Sequence, residues 1–208
     1  MSTVSAATAL DRVLQHPAIW RRSSAGAARL RVQSSGWPEL DARLPGGGWP
    51  LGALSEILFE RDGLGEFGLT MPALAALTRA RRRVVLVDPP YLPYPAALAS
   101  AGVDLAYVTV LRGIGPEAPW SMEQCLRSGC CGAVLGWLAQ ADYRQLRRLQ
   151  LAAASGDSLA ILLRSASHAE QSSPAALRLL VSSSETNTFV DILKSRSMTE
   201  AAPAWTLR

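Results

Sequence analysis

Between residues 51 and 163 the chain alternates short apolar runs with longer stretches that suit helices, in the rhythm β-α-β-α-β-α-β-α-β. This alternation narrows the fold more than any other feature. Neighbouring parallel strands need a crossover, and the crossover helix packs back onto the sheet it left. The clearest member is Val84-Val85-Leu86-Val87, four consecutive β-formers stopped by Asp88-Pro89-Pro90. A run without polar alternation fits a strand buried on both faces, as in a parallel sheet. The other strands of the series are expected at Leu51–Phe59, Leu105–Leu111, Gly132–Leu138 and Ser158–Leu163. Helices are expected at Leu69–Ala80, Pro95–Ala101, Trp120–Arg127 and Tyr143–Ala154, the last with Asp142 as its N-cap. Arg164 to Ser173 reads as a polar loop. Two final strands, Ala176–Ser182 and Thr188–Lys194, form an antiparallel hairpin around Ser184-Glu185-Thr186-Asn187. The expected fold is a three-layer αβα core with a mostly parallel sheet and this C-terminal antiparallel hairpin.

A chain of 208 residues makes one domain, or one with a small appendage. Residues 1–33 read as an N-terminal arm, 34–196 as the core and 197–208 as a tail. The arm carries a short helix near Ala9–Gln15 ended by Pro17, then Trp20-Arg21-Arg22, then a short strand at Arg29–Val32. An apolar fraction of 49% supplies a proper core, and only 18% of residues are charged, which excludes wholesale disorder.

The charge is +4 at pH 7, compatible with nucleic acid or an acidic partner without requiring either. Of the 21 basic residues only Lys194 is a lysine, a bias that codon usage explains. It still excludes an ordinary phosphate-binding loop with its lysine, and a lysine Schiff base anywhere but position 194. Cys125, Cys130 and Cys131 are too few and too close for a disulfide framework and read as reduced thiols. His16 and His168 have no ligand partners at metal-site spacing, so neither metal nor cofactor is expected. The first fifteen residues lack the pattern of a secretory signal, and no run approaches a membrane span. A cytoplasmic protein with no membrane partner is expected.

The loop Glu60-Arg61-Asp62-Gly63-Leu64-Gly65-Glu66 lies between the first core strand and its helix. In such folds this is where backbone N–H groups cradle phosphate and a lysine neutralises it. With Gly65 as the last loop glycine, the lysine position is Glu66 and the hydroxyl position is Phe67. Two like charges ~4 Å apart at an effective dielectric of ~20 repel by about 4 kcal/mol. The segment is therefore either a plain strand–helix connection or a decayed nucleotide site.

Several strings together resemble a RecA-type core and, more closely, the ImuA family. That family is RecA-like, SulA-related and encoded with DNA-damage-inducible translesion-synthesis cassettes. The strings are Trp37-Pro38-Glu39-Leu40-Asp41, Leu44 to Gly52, Gly63-Leu64-Gly65-Glu66 with Pro72-Ala73-Leu74, Pro89 to Tyr94, Ala101 to Leu105, Pro119 to Gly129, Ala133 to Leu138 and Arg147 to Ala153. The resemblance spans roughly residues 34–194.

Active members of the recombinase fold use a loop lysine, a water-activating carboxylate and a late-strand aspartate for ATP hydrolysis. By resemblance these positions fall at Glu66, Pro90 and Gly136. Only Asp88 and Thr70 remain near them. The resemblance implies a catalytically silent, RecA-like, non-enzymatic accessory protein of damage-induced translesion synthesis. It implies as partners a Y-family polymerase-like protein of the ImuB type, an error-prone replicative-type polymerase subunit and RecA, with DNA touched weakly or indirectly. A SulA-like inhibitor of a tubulin-like division filament is the alternative, and a nucleotide-dependent recombinase-type ATPase the second.

Arginines are the candidate contact residues. Arg79, Arg81, Arg82 and Arg83 sit where a helix should end, and Arg144, Arg147 and Arg148 share one helix face by their spacing. Each set is either a solvated surface or a fork for phosphate or carboxylate. The equivalents of the recombinase's DNA-binding loops, near Gln140–Asp142 and Ser165–Pro174, are short and weakly charged. Most of the six tryptophans should be core. Trp20, beside Arg21 and Arg22, and Trp205 lie outside the alternating segment and are candidate partner anchors, or pack locally.

Overall fold

The structure, a computed structural model, describes residues 30–184, 187–195 and 205–207. The expected arm lies outside the described residues except for 30–33, as do Trp20, Arg21 and Arg22. Val32–Gln33 (β1) pairs antiparallel with Trp49–Pro50 (β2) as a separate small ribbon. Between them lies the short helix Pro38–Asp41 (α1).

The alternating segment then follows in order. Its strands are Leu54–Phe59 (β3), Arg83–Val87 (β4), Val108–Leu111 (β5), Cys131–Trp137 (β6) and Leu159–Ser165 (β7). Its helices are Met71–Arg79 (α2), Pro95–Ser100 (α3), Ala118–Arg127 (α4) and Tyr143–Ser155 (α5). Leu177–Ser183 (β8), Thr188–Ser195 (β9) and Trp205–Leu207 (β10) complete it.

Among the described residues eight strands form one sheet in the order β10-β9-β8-β3-β7-β6-β4-β5. β3, β4, β5, β6, β7 and β8 run parallel to one another, and β9 and β10 add antiparallel. The expected mostly parallel sheet with an antiparallel C-terminal hairpin is present. The segment of β10, expected as tail, is instead the edge strand.

Strand residues alternate between two cores. Ile57, Leu86, Leu135 and Ile161 face Leu69, Ala73, Leu74 and Leu98 on the α2–α3 side. Leu54, Val85, Val134 and Leu162 face Met122, Leu126, Leu146 and Leu149 on the α4–α5 side. This is the three-layer arrangement, and it explains the unbroken apolar runs: the central strands β3, β4, β6 and β7 are covered on both faces. Pro72 and Pro95 sit in the first turns of α2 and α3, where no N–H is needed.

Helix α5 begins with a full capping box. Asp142 Oδ1 accepts the Gln145 N–H at 2.8 Å, and Gln145 Oε1 accepts the Asp142 N–H at 2.9 Å. Asp142→Ala is expected to cost about 1 kcal/mol, a fall in Tm of about 2–4 °C for a chain of this size, measurable by thermal unfolding.

Two sequence expectations are corrected in the sheet and its packing. Arg164 does not start a polar loop; it lies buried in β7. Its Nη1 lies 3.2 Å from Glu56 Oε1, and Arg178 Nε donates to Glu56 Oε2 at 2.6 Å. Glu56 is fully buried in β3, directly opposite Arg178 of β8. Arg178 also donates to the carbonyls of His168, Ala169 and Gln171, and Arg164 to that of Ala141. The second correction is among the tryptophans. Of the two roles open to Trp205, the structure shows local packing: it is 6% exposed, packs on Trp37 with ring centroids 5.7 Å apart, and donates to Glu39. Trp120, expected inside, is 58% exposed.

Candidate functional site

The strands β3, β4 and β6 all end on one edge of the sheet, and the segments that leave them enclose a cavity of about 380 Å³. Asp62, Gly63, Glu66 and Phe67 come from the loop after β3, Pro89 to Pro93 from the loop after β4, and Trp137 from the end of β6. In open α/β sheets this C-terminal edge is the ligand-binding edge. The topology therefore puts two of the positions at which the resemblance places lost catalytic groups, Glu66 and Pro90, in the cavity wall, while the third, Gly136, precedes Trp137 and is directed toward Met122 of α4.

Each of the three is filled from within the chain. In the loop, Gly63 and Gly65 both take positive φ, 83° and 93°, a conformation that favours glycine. The Gly63 N–H, of the kind that would cradle phosphate, donates instead to Glu66 Oε1 at 3.2 Å. Glu66 is only 7% exposed, so the loop already holds an acidic side chain of its own. Phe67, at the hydroxyl position, packs edge-on against Trp137 with centroids 5.3 Å apart.

At the second position Pro90 offers no acid and forms part of the cavity wall. The neighbouring Asp88, at φ 52°, accepts the Gly113 N–H at 3.0 Å and so caps the turn after β5. At the third, a Cβ on Gly136 would lie 2.6 Å from Met122 Sδ; the methionine of α4 occupies the space an aspartate would need. Thr70, the remaining hydroxyl, donates to the Phe67 carbonyl at 2.7 Å. Both surviving polar groups are thus engaged in local structure.

The first arginine set is not at this edge. Arg79 ends α2, Arg81 turns at φ 57°, and Arg83 opens β4, which places them at the opposite end of the sheet. The expectation that all four close the helix is corrected: only Arg79 is helical. Arg82 donates to the carbonyls of Cys131 and Asp157, and Arg83 donates to Thr109 Oγ1. Arg79 and Arg81 are exposed.

On α5, Arg148 pairs with the buried Glu123 at 2.5 Å, which also holds Arg127 at 2.9 Å. Arg144 and Arg147 remain exposed. The two short loops considered for DNA are pinned to each other, His168 Nε2 lying 3.0 Å from the Ala139 carbonyl.

The three thiols are free and gather near Ser128, whose hydroxyl lies 2.9 Å from Cys130 Sγ and 3.9 Å from Cys131 Sγ. A hydrogen bond from Cys131 holds the Cys125 thiol below its ordinary value, at about 7, against burial and the nearby Cys130. The same bond, with burial, pushes Cys131 up. Among the described residues no group of His, Cys, Asp or Glu is arranged to hold a metal, and no helix is long and apolar enough to cross a membrane.

Over 97 residues the chain is 34% identical to the cell division inhibitor SulA of Edwardsiella piscicida. The stretch is 46% of this chain and 58% of that protein, so the match spans little more than half the relative's length. No protein-family model matches the chain.

Proposed function

We propose that this protein is a non-enzymatic component of the DNA-damage response that works through contact, as an accessory factor of damage-induced translesion synthesis. The observation that carries the reading is the Glu66 carboxyl group seated on the Gly63 N–H, an internal acidic side chain at the point where a triphosphate would bind. A buried carboxylate there opposes phosphate at close range, and the chain's one lysine, Lys194, is not in this loop to reverse the sign. Support also comes from Gly136 and Pro90, and from the relation to SulA. The proposed partners are a Y-family polymerase-like protein, an error-prone replicative-type polymerase subunit and RecA.

Affinity purification from damaged cells is the test of partners; recovery of those polymerases or RecA is the expected result. The 97-residue similarity favours a second reading, inhibition of a tubulin-like division filament. Suppression of GTP-dependent polymerisation by the purified chain, with no polymerase recovered, would select it.

Both readings expect no ATP binding. A ligand at 100 times its Kd stabilises by about 2.7 kcal/mol. Magnesium-ATP at millimolar concentration is therefore expected to leave the Tm unchanged. A rise of several degrees, or hydrolysis lost on changing the Gly63–Gly68 loop, would overturn the non-enzymatic reading.

A further inference from the structure

The cavity at the C-terminal edge contains a group that the loop does not satisfy. Glu66 Oε1 accepts the Gly63 N–H, but Oε2 is buried and has no hydrogen-bond partner. A buried carboxylate oxygen without a donor is costly, and more so when charged. The walls around it are of one character. Phe67, Trp137 and Tyr91 contribute aromatic rings, Pro89, Pro90 and Pro93 contribute apolar surface, and Asp62 adds a second carboxylate. Asp62 Oδ2 accepts the Tyr91 hydroxyl at 3.3 Å, which ties the two loops across the mouth. Among the described residues no arginine, lysine or histidine lines the cavity.

Two carboxylates among aromatic rings, with no cation in the walls, repel phosphate and attract a positive group that can also lie on a ring. A guanidinium meets both demands better than an ammonium. It is planar, stacks on aromatic faces, is weakly hydrated and presents several N–H donors to carboxylate oxygens. The volume, about 380 Å³, is at the small end of ligand cavities. We propose that this cavity receives an arginine side chain presented by a protein partner. The loop that lost its capacity for phosphate has thereby acquired the opposite charge preference. The inference rests on the cavity's own walls and holds whichever assembly the chain serves. Free arginine is the disfavoured source, because its α-carboxylate would enter a site that already holds two.

The experiment titrates the full chain with acetyl-Gly-Arg-Gly-amide and with its lysine and citrulline counterparts. Binding is followed at the indole N–H resonance that disappears in Trp137→Phe. The arginine peptide is expected to shift that resonance saturably. The lysine peptide is expected to bind several-fold more weakly and the citrulline peptide at least tenfold more weakly. Glu66→Gln should weaken the arginine peptide at least tenfold. Tyr91→Ala, at an exposed position on which no core packing depends, should weaken it several-fold with the Tm unchanged. Equal binding of citrulline, no saturable shift with any peptide, or tighter binding of free L-arginine than of the peptide would each overturn the proposal. None of these results bears on which polymerase or filament the chain contacts, so the two tests fail separately.

Discussion

Glu56→Ala is expected to destabilise the protein by about 3–5 kcal/mol, the usual cost of removing one member of a buried ion pair. The expected size follows from what is left behind. Glu56 sits between two buried guanidinium groups, Arg164 and Arg178, and without it like charges face each other across β7, β3 and β8. With m of about 2 kcal/mol/M in urea, the unfolding midpoint falls by about 2 M. The substitution also frees Arg178, which holds the carbonyls of residues 168, 169 and 171. Amide exchange in that loop should accelerate along with global unfolding. A midpoint shift under about 0.5 M, on the order of 1 kcal/mol at that m, would mean that water reaches the pair and that burial is not what governs it.

The second large effect is expected from Gly136→Asp, the change that would put back a late-strand carboxylate. It should not restore nucleotide chemistry; it should disrupt the α4–β6 contact. The new Cβ lies 2.6 Å from Met122 Sδ and 3.6 Å from Leu138 Cγ, with Met122 fully buried. Overpacking costs about 1–3 kcal/mol, and a carboxylate buried without a donor adds several more. A Tm lowered by at least about 6 °C is expected. Gly136→Ala isolates the steric part, and its Tm should fall between those of the native protein and Gly136→Asp. A Gly136→Asp protein of unchanged Tm with magnesium-dependent hydrolysis would show that Met122 yields and that the position still serves nucleotide chemistry.

Particular residues show how much of the fold and of the cavity is legible in the sequence. The parallel sheet is readable because Val84–Val87 and its counterparts are buried on both faces, and double burial leaves a continuous apolar run. The Asp142 cap is readable because capping is local and involves residues three apart. Glu66 is readable as a missing lysine, but not as a ligand for its own loop; that depends on the φ values of Gly63 and Gly65.

The Glu56–Arg164–Arg178 cluster is not readable. Residue type alone sends charges to the surface, and only the register between β3, β7 and β8 brings these three together across more than 100 residues. Trp120 is misplaced for the same reason, and the two roles of Trp205 stay open for that reason too. Position within or outside the alternating segment does not tell which face of an element looks inward. The strand containing Trp205 is three residues long, too short for any periodicity to declare itself.

That short strand has a consequence for the order in which the molecule is assembled. Of the described strands β10 is the last to be synthesised, yet its tryptophan sits against Trp37 and bonds Glu39, 166 residues earlier. Closure of this contact must wait until the rest of the sheet has been translated, and loop closure over such a span is slow. Until then β9 offers an open backbone edge, the kind of surface on which nascent chains pair with one another. The yield of native protein should thus depend on how quickly three residues find their place.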